Sequence, residues 1–65
     1  MEERIVINPA VLAGKPIIIG TRISVEFILE LLSSGMSVDE ICEEYPHLNR
    51  IDVLIAINYA TKFLS

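Results

Sequence analysis

The pattern of apolar and polar positions changes character near residue 23. Before it lie two short β-branched runs. Arg4-Ile5-Val6-Ile7 is closed by Asn8-Pro9, and Ile17-Ile18-Ile19 is stopped by Gly20-Thr21. Runs of this kind bounded by turn residues predict strands, here a small hairpin or ribbon that needs helices to pack on. Between them, Ala10-Val11-Leu12-Ala13 has room for a single turn, and Gly14-Lys15-Pro16 is turn chemistry. From Ser24 onward the period becomes helical, with Val25, Ile28, Leu29 and Leu32 at i, i+3, i+4 and i+7. Ser24 suits the N-cap, Glu26 the positive helix start and Gly35 the stop. Ser37-Val38-Asp39-Glu40 is a capping box that opens a short helix reaching about Tyr45, where Pro46 disfavours another turn. Asn49 then caps a third helix from Arg50 to about Leu64.

The fold class this predicts is mostly α and a single domain over residues 1–65. A short N-terminal β-ribbon or arm occupies 1–23, and a three-helix bundle occupies 24–65. The last two helices, joined by the tight turn Pro46-His47-Leu48-Asn49, have a helix-turn-helix silhouette.

The third helix is apolar on almost every side. Val53, Ala56, Ile57, Ala60, Phe63 and Leu64 make one face, and Ile51, Leu54, Ile55 and Tyr59 spread over most of the rest. A helix of that kind is buried nearly all round. A chain of 65 residues buries only about 60% of its unfolded surface, too little to cover both sides. The expected packing residues are Ile28, Leu32, Ile41, Leu48, Leu54, Ile57 and Ala60. The expected docking residues are Phe27, Leu31, Ile55, Tyr59 and Phe63. The plainer alternative is that all of them are ordinary core.

Composition sharpens this. At 52% hydrophobic and 22% charged residues the chain is excluded from the disordered class. Cys42 is the only cysteine and His47 the only histidine, so neither a disulfide nor a structural zinc site is available to staple so small a core. Association is the remaining route, and a homo-oligomer, a dimer first, is expected.

Charge then limits the partners. The net charge is −4, and it is uneven: residues 1–22 carry three cations against two carboxylates, residues 23–65 two against seven. The candidate DNA contacts are Arg4, Lys15, Arg22 and Arg50, few for binding by counterion release. A recognition helix beginning Arg50-Ile51-Asp52-Val53-Leu54-Ile55 offers base edges little. No apolar run is long enough for a membrane span, and the start Met-Glu-Glu-Arg lacks the pattern of a signal peptide, so a cytoplasmic protein is expected.

No catalytic set, metal site or cofactor is expected. Lys15 precedes a proline and three isoleucines, where a phosphate loop needs its lysine before Ser or Thr and a helix. Cys42 and His47 lack an orienting third group, so Cys42 reads as a small apolar residue and His47 as a polar turn residue. Asp39, Glu40, Glu43 and Glu44 form an acidic helix surface, solvated or turned to a basic partner. Arg22 stands out beside the Gly20-Thr21 turn. It either pairs with Glu26 one helical turn on, or offers its guanidinium fork to a carboxylate or phosphate.

The blocks Gly14-Lys15-Pro16-Ile17-Ile18-Ile19-Gly20-Thr21-Arg22-Ile23, Gly35-Met36-Ser37 and Glu44-Tyr45-Pro46-His47-Leu48 closely resemble the bacterial and archaeal domain-of-unknown-function 433 family, over about Ile5 to Ala60. Its pattern runs roughly GGKPVIRGTRIPV, then G-S-EEI and EYP-L. Ala13 replaces a usual glycine, Ile19 a usual basic residue, and Arg50-Ile51-Asp52 the common R-E-D. The change at Ile19 lowers the expectation of nucleic-acid binding. The resemblance implies a homeodomain-like helical fold with an N-terminal β element. It further implies a VapB-type antitoxin that buries apolar helix surface on a PIN-like nuclease toxin, dimerises and represses its own operon. Such nucleases use carboxylates and divalent metal, so the expectation is that Arg22 or Lys15 reaches into that acidic site, and Phe27, Leu31, Ile55, Tyr59 and Phe63 are the candidates for the rest of the interface. The alternative is a dimeric helix-turn-helix transcriptional regulator, and a third reading is a dimeric adaptor without a nuclease partner.

Overall fold

The computed structural model describes residues 2–63. A 3₁₀ turn at Glu2–Arg4 leads into β1 (Ile5–Ile7), a loop with a short turn at Leu12–Gly14, and β2 (Pro16–Ile18). Three helices follow: α1 (Val25–Ser33), α2 (Val38–Glu44) and α3 (Arg50–Phe63). The strands pair antiparallel, Ile5 with Ile18, Val6 with Ile17 and Ile7 with Pro16. β1 is one residue shorter than its β-branched run predicts, and β2 keeps the length of its run but starts one residue earlier, at Pro16. Arg4 belongs to the preceding turn, and Ile19 lies beyond β2, its amide bonded to the Arg4 carbonyl at 2.8 Å. Leu64, the expected end of the third helix, lies outside the described residues.

The helix boundaries follow from local chemistry. Ser24 accepts the Phe27 amide at 2.9 Å and so caps α1. Gly35, at φ +102°, ends it, with Met36 N–H donating to Leu31 O and Gly35 N–H to Leu32 O, a Schellman arrangement. Ser37 and Glu40 cap each other's backbone in the predicted box. The Asn49 side chain accepts the Asp52 amide at 2.9 Å, and Asp52 Oδ2 accepts the Asn49 amide at 3.2 Å, a second reciprocal cap at the start of α3.

The core is Ile18 from the ribbon, Val25 and Ile28 from α1, Ile41 from α2, Leu48 from the turn, and Val53 and Ala56 from α3. Leu32, Ile57 and Ala60 of the expected packing set are half-buried. Two expectations for α3 are reversed. Leu54, placed in the packing set, is 45% exposed, while Ile55, placed in the docking set, is 2% exposed. The reason is the phase of the helix. Asp52, which reads as a polar break, is fully buried, because Arg4 Nε donates to its Oδ1 at 2.7 Å and the N-terminal turn packs on α3. Ile55 lies one turn from Asp52 on that covered side. The open side of α3 instead carries Arg50, Ile51, Leu54 and Thr61.

Candidate partner-binding site around Arg22

The loop from Ile18 to Ile23 is closed at its base by Ile18 N–H to Ile23 O at 3.0 Å. Thr21 organises the interior: its hydroxyl donates to Ile18 O at 2.7 Å and accepts the Ile23 amide at 3.0 Å. Gly20, at φ +77°, makes the sharp turn, and Ile17 bridges to Ser24 just outside the loop. Arg22 is thereby held exposed on a hydrogen-bonded frame between β2 and α1.

The chain has five Lys and Arg residues, and most are spent within the fold. Arg4 is bound to Asp52, and that carboxylate raises the pKa of its guanidinium by hydrogen bonding and by charge. Lys15 is paired with Glu26 at 3.2 Å, so Arg22 does not have the Glu26 partner that the simpler sequence reading gives it. Arg50 is paired with Asp39, and Lys62 is also engaged. Among the described residues, only the Arg22 guanidinium has no hydrogen bond or ion pair.

Two open cavities meet at this side chain. One, of about 480 Å³, is lined by Val11, Gly20, Thr21, Arg22, Ile23 and His47. The other, of about 330 Å³, is lined by Leu12, Arg22, Ile23, Ser24 and Phe27. Phe27 is 36% exposed and holds its place edge-on to Tyr45, ring centres 5.5 Å apart. Leu12 is 44% exposed although its backbone is left-handed, at φ +48°, followed by Ala13 at +55° and Gly14 at +81°. For an L-residue that conformation costs roughly 1–2 kcal/mol.

The expected docking residues do not form one surface. Phe27 borders the Arg22 site. Leu31 is half-buried against the core, as is Tyr59, whose ring meets exposed Phe63 at 4.7 Å. Ile55 is withdrawn altogether. Leu12, Thr21 and His47 belong to the site, yet the sequence reading passes over Leu12 and treats His47 as a plain turn residue. The only hint at Leu12 is its place between two turn signals. No group of His, Cys, Asp and Glu able to hold a metal occurs among the described residues, and none of their helices is long and apolar enough to cross a membrane.

Comparison with known proteins supplies the family. The model described as "Protein of unknown function (DUF433)" matches residues 5–60. The chain belongs to the DUF433 family. No curated protein matches it in sequence. A solved structure described as the crystal structure of a DUF433 member protein from Anabaena variabilis is similar to it, with a TM-score of 0.88 and 30% identity. The similarity covers 92% of this chain and 59% of that one, so the present chain spans little more than half the length of that DUF433 protein. The geometry also bears on one departure from the DUF433 pattern. Ala13 stands where the pattern has a glycine, and its φ of +55° is one that glycine adopts without strain.

Proposed function

We propose that the protein is an antitoxin-like binding module, one that engages a PIN-like nuclease and holds it inactive by presenting Arg22 to its acidic, metal-binding carboxylates. The observation that carries this reading is the accounting of cations. Among the described Lys and Arg residues, Arg22 alone has no hydrogen bond or ion pair, and it stands on a hydrogen-bonded loop with apolar flanks. A guanidinium fork suits a carboxylate bidentately, and the exposed apolar groups beside it supply the desolvated setting that strengthens such a pair. The module acts in the cytoplasm, as a dimer or as a complex with the nuclease. The exposed Ile51, Leu54 and Phe63 are the further apolar surface that such assembly buries.

The same accounting speaks against the regulator reading. Arg4, Lys15 and Arg50, three of the four candidate DNA contacts, already have carboxylate partners. The open side of α3 carries Ile51 and Leu54 where a recognition helix needs polar reach.

The test is co-expression with the product of the adjacent reading frame, only the neighbour being tagged. The expected result is stoichiometric co-elution through a high-salt wash and relief of the growth arrest that the neighbour causes, with Arg22→Ala relieving it less well. Elution of this protein alone as a homodimer, or full neutralisation by Arg22→Ala, would overturn the reading.

A further inference from the structure

We infer that the two cavities meeting at Arg22 form one groove that receives an extended segment of a protein partner carrying a single carboxylate, with that carboxylate on the Arg22 fork and the preceding apolar side chain between Leu12 and Phe27. This rests on the proposed function only in taking the partner to be a protein, and it adds the chemistry of the contacting segment.

Three observations lead to it. Arg22 is shared by both cavities, so a chain lying along the groove must cross it. The side beyond Arg22 carries apolar Leu12 and Phe27, while the near side carries Val11, the Thr21 loop and His47. Leu12 is also held in a left-handed conformation with 44% of its surface exposed. A leucine whose backbone is strained and whose side chain is open to water gains little for the fold itself, and such strain collects at binding sites. Charge decides between a protein segment and a nucleic acid. The site offers one free guanidinium on a chain of net charge −4, with Asp39, Glu40, Glu43 and Glu44 exposed on α2. A polyanion is repelled by that field, whereas a single carboxylate is matched by a single fork.

The probe is a short acetylated and amidated Gly/Ser peptide carrying one Leu-Asp pair, titrated to millimolar concentration into the isotope-labelled protein. Peptides carrying Leu-Asn or Gly-Asp in its place are the controls. The amide signals of Gly20, Thr21, Arg22, Ile23 and Phe27 are expected to move with the Leu-Asp peptide, and at least about tenfold less peptide is needed than with either control. Arg22→Lys, which keeps the charge and loses the fork, weakens binding by about tenfold. Leu12→Gly, which removes the side chain and relaxes the backbone, also weakens binding while the protein stays folded. A merely structural leucine would give the reverse, lost stability with binding intact. Absence of shifts, shifts centred on Ile51 and Leu54, or equal shifts with Leu-Asn would each overturn the inference. So would the same signals moving on dilution without peptide, which would mean a second copy fills the groove, or a stronger response to duplex DNA. These outcomes do not depend on the neighbouring nuclease, so a failed co-elution leaves the peptide result to be read by itself.

Discussion

Ala13 and Gly14 are adjacent, both at positive φ, and substitutions that exchange their residue types should have opposite signs. Ala13 sits at φ +55°, ψ +34°. The left-handed region costs an L-residue roughly 1–2 kcal/mol that glycine escapes. Ala13→Gly gives back part of this, because glycine raises the entropy of the unfolded chain by about 0.4–1 kcal/mol. Its methyl is exposed, so no core contact is lost. The net is a stabilisation of about 0.5–1 kcal/mol, or a rise of roughly 3–6 °C in Tm for a domain of this size. For Gly14→Ala the added Cβ would lie 3.8 Å from Pro9 Cα, an ordinary contact, so only the backbone strain at φ +81° remains. Stability should fall by about 1 kcal/mol. Thermal and urea unfolding followed by circular dichroism, at one fixed protein concentration, measures both changes. A lower Tm for Ala13→Gly, or an unchanged one for Gly14→Ala, would refute the left-handed turn and with it the argument that Leu12 is displayed at a cost.

On α3, Ile55→Ala should destabilise by about 2–4 kcal/mol, as expected for a buried aliphatic side chain, while Leu54→Ala should stay within about 1 kcal/mol. Urea midpoints at constant m-value distinguish the two. Arg22→Ala should leave Tm unchanged within the equivalent of about 0.5 kcal/mol, since the side chain has no internal partner, while partner binding is reduced. A large loss of stability would show a structural role for it. Asp52→Asn should speed hydrogen exchange at both the N-terminal turn and the first turn of α3, because one carboxylate serves both. Exchange altered at only one end would sink that coupling. The Glu40 carboxylate is held below its ordinary value of 4.5, chiefly by the Ser37 backbone amide and then by the Ser37 hydroxyl. A lowered folded pKa contributes stability that is present above 4.5 and lost as pH falls through the folded value. The stability gap between wild type and Glu40→Gln should therefore narrow from neutral pH into the acid range. A gap constant with pH would show that the box does not form.

The ends of the helices were legible because each is set by a few neighbouring residues. Ser24, Gly35, the Ser37–Glu40 box and Asn49 need nothing from elsewhere in the chain. The phase of α3 was not legible, because periodicity identifies a face only when the other faces are polar. With Leu54 and Ile55 equally apolar, the deciding partner was Arg4, far away in sequence. Asp52 misled for the same reason: a carboxylate reads as exposed unless its cation is known. Arg22 could be singled out from its chemistry and its place beside a glycine turn. Its isolation could not, since it depends on Lys15 taking Glu26. Leu12 left no more than its place between two turn signals, because the sign of φ is written in a sequence only where a glycine stands.

The bond between Arg4 and Asp52 joins residues 48 apart in sequence. A chain emerging from the ribosome therefore cannot seat its first turn until the start of its last helix has appeared, and contacts of such span are the slow ones to form. The ribbon's register, fixed by its own pairing, is available early. Its docking waits for Asn49 and Asp52. Seating of the N-terminal turn is thus a late event that follows the arrival of α3, whereas the loop carrying Arg22 is closed by bonds of its own.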